Sequence, residues 1–230
     1  MSSDFSLQPK ARVKVQGKAD IVILCDSTGS MSPTRDGLLR NLNTFLESLG
    51  KTQTKSQAPL DWRIRFNIFR DIDVDAEAMD FSGNWMTKEE EIKNVIQSKF
   101  IPDGGGDEPE STLDAILKAV IETDWGESRT RVLIVFTDAT TKPLSSDPAR
   151  GVHRIAQEIL SKRVYTFLFA PKDPQYEELA KIATRAGKAR MDYDSSISFG
   201  AGLADIDWKG ILTKVGKTVS MDSISGPEKS

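Results

Sequence analysis

Two short apolar runs constrain this chain more than any other feature. Ile21-Val22-Ile23-Leu24 and Val132-Leu133-Ile134-Val135-Phe136 contain no polar residue at alternate positions. A strand with one face in water alternates polar and apolar residues. One covered on both faces has no need to, so both runs belong inside a parallel sheet packed between two helical layers. The expected strands are 19–25 and 131–137.

The rest of the sequence alternates in step with that expectation. Residues 31–49 read as a helix, with Leu38, Leu39, Leu42, Phe45, Leu46 and Leu49 at helical spacing and Gly50 closing it. Residues 62–69 alternate as a strand, with Ile64, Phe66 and Ile68 on one face. A short edge strand is expected near 78–81, and helices at 88–98, 110–123 and 149–161. A strand follows at 164–169, then a helix at 175–186 stopped by Gly187, a last strand at 189–193 and a weaker helix at 199–219. The fold class is therefore α/β, a doubly wound, mostly parallel six-stranded sheet with helices on both faces. One domain at 18–219 accounts for it, with an extended arm at 1–17 and a flexible tail at 220–230.

Composition removes several function classes. Of 230 residues, 38% are hydrophobic and 28% charged, which supplies a core, and the net charge of −3 argues against a nucleic-acid partner. No apolar run approaches the roughly 20 residues that span a membrane. One cysteine and one histidine cannot make an internal disulfide or a thiolate–imidazole metal centre. The first ten residues lack the basic-then-apolar pattern of an export signal, so the expected location is cytoplasmic.

Three loops concentrate oxygen donors. Asp26-Ser27-Thr28-Gly29-Ser30 follows the first buried strand and can turn a carboxylate and two hydroxyls toward one point, with Gly29 expected to permit the tight turn. Gly104-Gly105-Gly106-Asp107-Glu108-Pro109-Glu110 opens a helix, and Thr137-Asp138-Ala139 follows the second buried strand. Ligands of open α/β sheets gather at the carboxyl ends of strands where the strand order reverses. Oxygen donors from separate loops suit a hard cation, Mg²⁺, Mn²⁺ or Ca²⁺. A lone DSTGS has a plainer reading as a helix cap, and Glu110 as a first-turn acid favoured by the helix dipole.

Together these segments resemble the von Willebrand factor type A (vWA) domain and its metal-ion-dependent adhesion site, MIDAS. DSTGSM is similar to the D-x-[ST]-x-S signature, and Asp138 in VFTDATTK falls on the aspartate after the fourth buried strand. GGGDEPESTLDAI resembles the D-x-P-E segment of integrin β I-like and hemicentin-like A domains. The resemblance covers roughly residues 18–218. It implies a metal held by Asp26, Thr28, Ser30, Glu110 and Asp138, some through water, with Asp107, Ser111 or Thr112 as substitutes for Glu110. FRDI at 69–72 is similar to the integrin β segment that serves a second cation, which would fall to Asp71 and Asp107. The same Asp71, read with Asp73, Asp75, Glu77 and Asp80, also makes a solvated acidic edge. Ser32-Pro33-Thr34 stands where a third site would need acids.

The function implied is a protein-binding or adaptor module that captures an Asp or Glu of a protein partner through the bound cation. Family analogy adds an ATPase or kinase system as partner. The rival is a Mg²⁺-dependent hydrolase of phosphate esters working from the same site. Against it, no histidine or lysine is expected beside the three loops to act as acid or base, and no phosphate-binding glycine motif is present. His153 reads as an ordinary polar contact, Cys25 as core packing, and Trp85 as an exposed recognition residue near the metal face.

Overall fold

Strand β1 (Lys18–Asp26) is flanked on one side by β2 (Asp61–Phe69) and on the other by β4 (Thr130–Phe136), both parallel to it. The computed structural model describes residues 17–51, 60–104, 108–198, 200, 203 and 207–225. The sheet continues through β5 (Val164–Phe169) to β8 (Met191–Asp194), and the far edge is β3 (Met79–Asp80), antiparallel to β2. Its order, β3-β2-β1-β4-β5-β8, gives six strands of which only the expected edge strand is antiparallel. The chain leaves β1 toward β2 in one half of the sheet and returns to β4 for the other half. The switch point therefore lies between β1 and β4.

Side chains of successive strand residues point to opposite faces, and both faces are dry. Ile21, Ile23, Cys25, Val132, Ile134 and Phe136 join one cluster with α1 (Ser32–Lys51), α2 (Glu89–Lys99) and α6 (Trp208–Ser225). Val22, Leu24, Leu133 and Val135 join the other with α3 (Thr112–Glu122), α4 (Gly151–Lys162) and α5 (Pro174–Ile182). This two-sided burial is why the two runs lack alternation. Each fully buried Ile, Leu or Phe stabilises the fold by roughly 1.5–3 kcal/mol over an exposed one.

At the amino ends of the strands a buried ion cluster closes the sheet. The Asp20 carboxylate, with no exposed surface, accepts from Arg63 Nε at 2.6 Å, Arg63 Nη2 at 2.9 Å and the Gly126 amide at 2.7 Å, and pairs with Arg129 as well. Burial alone would raise its pKa. The arginine and amide donors more than offset that and hold the carboxyl below its usual range.

Three expectations along the chain need correction. Helix α5 ends at Ile182, and a small hairpin of β6 (Thr184–Arg185) and β7 (Lys188–Ala189) follows it. Ala186 and Gly187 take φ of 51° and 73° between those strands, so Gly187 serves a two-residue hairpin turn instead of a helix stop. The last helix, α6, starts at Trp208, nine positions later than expected, and runs to Ser225, into the stretch expected to be tail. Gly17 already belongs to the sheet region, its carbonyl accepting from the Asp61 amide at 2.9 Å. The remainder of the arm, residues 1–16, and tail residues 226–230 lie outside the described residues.

Candidate metal centre

The register that pairs Cys25 with Phe136 places Asp26 and Thr137 side by side at the carboxyl end of the sheet. Thr137 Oγ1 donates to Asp26 Oδ2 at 2.8 Å, and the Thr28 amide donates to Asp26 Oδ1 at 3.0 Å. The first loop then turns through a short 3-10 helix (Gly29–Met31) that has no side-chain cap. In place of capping, the hydroxyls face their neighbours. Thr28 Oγ1 lies 3.5 Å from Ser30 Oγ, and Ser30 Oγ donates to Asp138 Oδ1 at 2.9 Å. Asp26, Thr28, Ser30 and Asp138 are thus brought together, with Asp26 fully buried and Ser30 at the surface.

Glu110 reaches the same rim from the second loop. Its amide donates to the Thr140 carbonyl at 3.0 Å, and its own carbonyl accepts from the Lys142 amide at 2.8 Å. That short parallel bridge ties Glu110 to the segment just beyond Asp138. The segment is itself fixed: Tyr176 Oη donates to the Ala139 carbonyl at 3.2 Å, and the Thr141 amide donates to Asp173 at 3.3 Å. Glu110 precedes the helix, whose N-cap is Ser111, so it is not a first-turn acid. Asp107 lies outside the described residues.

The electrostatics are those of crowded carboxylates. Burial, followed by the charges of Asp26, Asp71 and Asp75, pushes Glu110 up to about 8. Burial is also the main cause that lifts Asp26 to about 6, against hydrogen bonds from Thr28 and Thr137, while Asp138 adds repulsion. Glu110 Oε2 is buried and, among the described residues, accepts no hydrogen bond. Leaving such an oxygen unsatisfied costs about 1–3 kcal/mol, more when it is charged. A proton or a cation relieves it. Hard oxygen donors around an orphaned carboxylate oxygen fit a divalent cation of the Mg²⁺, Mn²⁺ or Ca²⁺ type. Among the described residues no three acidic, histidine or cysteine side chains are disposed to hold a metal by themselves. Any cation here therefore draws on the hydroxyls of Thr28 and Ser30 as well.

Several contributors were not read from the sequence. Ser27 is a hub: its amide donates to the Phe69 carbonyl at 2.8 Å, its hydroxyl donates to the Ile101 carbonyl at 3.2 Å, and its carbonyl accepts from Arg70 Nε at 3.2 Å and the Asp103 amide at 3.1 Å. Gly104 takes a φ of 67°, and its carbonyl accepts from the Gly29 amide at 3.2 Å. Among the described residues, a Cβ at Gly29 would meet the Gly104 oxygen, at 3.6 Å.

Lysine is also present beside the loops, contrary to expectation. Lys142 Nζ lies 2.6 and 2.7 Å from the two Asp71 oxygens and 2.6 Å from Asp73 Oδ2. Four residues beyond Asp138, it reaches them because the Glu110 bridge turns the chain toward the end of β2. Asp71 is accordingly no solvated edge residue. It is 1% exposed, and burial, which would raise its pKa, is outweighed by Lys142, the Asp73 amide and Ser111.

The remaining candidates lie elsewhere. Trp85 sits by the opposite end of the sheet, donating to Asp124 at 3.0 Å and stacking under the Arg63 guanidinium at 4.2 Å. It takes no part in the metal face. His153 is exposed, 3.9 Å from Glu178, and Cys25 is buried in the core.

Comparison with known proteins adds two findings. The von Willebrand factor type A domain model matches residues 20–204. No curated protein matches the chain. Two structures of proximal thread matrix protein 1 (PTMP1) from the mussel byssus superpose with TM-scores of 0.52 and 0.53 at 15% identity. They cover 89% and 90% of this chain and 47% of their own, so the chain spans about half the length of those relatives. At that identity the likeness concerns the fold alone.

Proposed function

The chain belongs to the von Willebrand factor type A domain family, whose members serve protein–protein interaction, and from that premise we propose that it docks a partner through a divalent cation. Asp26, Thr28, Ser30, Glu110 and Asp138 hold that cation, in the manner of the MIDAS signature that DSTGSM resembles, with a middle loop of the integrin β type. The observation that carries the reading is Glu110 Oε2, buried, without a donor among the described residues and repelled by Asp26. When bound, Mg²⁺, Mn²⁺ or Ca²⁺ supplies an electrophilic position that accepts an Asp or Glu oxygen of the partner.

The residues of the chain divide the work. Thr137 and the Thr28 amide hold Asp26 in one orientation. Ser30, by donating to Asp138, keeps its lone pairs available to a cation. Thr28 and Ser30 are neutral donors, so the site keeps more net positive charge than an all-carboxylate cage would. Glu110 supplies charge from a separately anchored loop. Cation binding displaces the proton that Glu110, raised to about 8, holds in its absence; no proton transfer to or from a substrate is involved.

The hydrolytic alternative asks for a base near the cation. Lys142 is brought to the rim, but its hydrogen bonds to Asp71 and Asp73 raise its pKa and hold it protonated. Binding is therefore the better reading, and a partner from an ATPase or kinase system is the family-level expectation. Immobilised protein challenged with cell extract in Mg²⁺, in chelator, and as Thr28→Ala tests it. The expected result is one set of proteins that chelator and Thr28→Ala both release. A partner retained in chelator, or Mg²⁺-dependent turnover of a phosphate ester lost in Asp26→Ala, contradicts it.

A further inference from the structure

We propose that the Lys142 ammonium is the resident second cation of this rim, filling the place between Asp71 and Asp73 and leaving the chain with one divalent-cation site instead of two. The inference rests on the proposed metal reading only for what occupies the neighbouring site.

The geometry around Nζ is that of a bound ion. Three carboxylate oxygens lie at 2.6, 2.7 and 2.6 Å, two from Asp71 and one from Asp73. Asp71 is otherwise completed by chain donors: Ser111 Oγ at 3.1 Å and the Asp73 amide at 3.1 Å. Ser111 Oγ in turn accepts from the Ile72 amide at 3.1 Å. A buried carboxylate with both oxygens engaged has no need of a metal. An ammonium delivered by the chain spends no translational freedom in arriving, whereas Mg²⁺ must shed strongly held water to compete for the same oxygens.

The position of Lys142 also gives it a second effect. Its amide holds the Glu110 carbonyl at 2.8 Å, while its ammonium holds the loop after β2. One residue thereby sets the spacing between the Glu110 segment and Asp71. Its charge also opposes the repulsion that the carboxylates exert on Glu110. Lys142 is a positioning residue for the metal centre, not a ligand.

The test counts Mn²⁺ bound per chain at saturation, by calorimetry and by the electron paramagnetic resonance of free Mn²⁺. Wild type is expected to bind one, Lys142→Met two, Asp26→Ala none, and the double variant one. Removing the ammonium while keeping most of the stem frees the Asp71–Asp73 pair. An unchanged count in Lys142→Met overturns the inference. If Asp26→Ala keeps its ion, the neighbouring-site reading fails, yet the difference between wild type and Lys142→Met still decides this proposal. Should Lys142→Met not fold by circular dichroism, Asp71→Asn in the wild-type background decides instead. A count of one supports the resident ammonium, and loss of an ion overturns it.

Discussion

Ser30 Oγ donates a 2.9 Å hydrogen bond to Asp138 Oδ1 across 108 positions of sequence. That bond joins the loops leaving the two central strands, and it orients a surface hydroxyl without any packing around it. Replacing Ser30 with Ala removes one proposed donor and the orienting partner of another. Cation affinity is expected to fall roughly 10–100-fold, the size of effect seen when a partner of a metal ligand is lost. Stability should move by no more than about 0.5 kcal/mol, because the side chain is exposed. Mn²⁺ titration alongside urea unfolding measures both. Equal affinity in the variant would remove Ser30 from the site.

The opposite end of the sheet makes a contrasting prediction. Asp20→Asn leaves Arg63 and Arg129 facing a neutral side chain in a buried setting. Breaking such a pair costs about 3–5 kcal/mol. Urea unfolding should show that loss, while Mn²⁺ affinity stays within error of wild type, since the cluster closes the far end of the strands from Asp26. A combined loss of stability and metal would mean that the two ends are coupled.

Gly104 offers a test of backbone geometry. Its φ of 67° disfavours a side chain, and a Cβ there would lie 3.0 Å from Asp75 Oδ1. Gly104→Ala should cost roughly 1–2 kcal/mol from the left-handed conformation and loosen the contact that its carbonyl makes with Gly29. Gly29→Ala meets only an ordinary contact and should cost less. The reverse ranking would place the conformational demand on the first loop after all.

Metal-free protein should show an unusual pH dependence. Glu110 is raised from 4.5 to about 8 and Asp26 from 3.8 to about 6. An acid with a raised pKa binds an extra proton in the folded state. Its contribution is fully present below the ordinary value and is lost as pH rises through the folded one. Stability in chelator should therefore fall between about pH 4.5 and about pH 8, and saturating Mg²⁺ should flatten the decline. Thermal unfolding across that range, with and without Mg²⁺, checks it. A metal-free stability that climbs with pH would show that these carboxylates are not repelled as described.

The sequence disclosed the sheet because its signal is strong where burial is two-sided. Val22 and Ile23 face different layers, and neither can be polar. It brought Asp26, Thr28, Ser30 and Asp138 to one end of the sheet because they stand at or just beyond the ends of buried strands, where position in the chain dictates position in space. The ends of helices were less legible. Gly187 suits a helix stop and a hairpin turn equally, and only the pairing of Thr184 with Ala189 decides. Lys142 was hidden for a different reason. Its role depends on the bridge between Glu110 and Thr141, a tertiary contact with no periodicity to announce it. Trp85 was misplaced because an aromatic residue after a strand does not reveal which end of the sheet it covers.

Asp26 and its neighbours are proposed to bind one divalent cation. Calorimetric titration of Mg²⁺ and Mn²⁺ into metal-free wild type and Asp26→Ala, each with a matched circular dichroism spectrum, tests it most directly. Saturable binding is expected for the wild type, none for the variant, and native spectra for both. Affinity unchanged by the substitution, or no binding to the wild type, would contradict it.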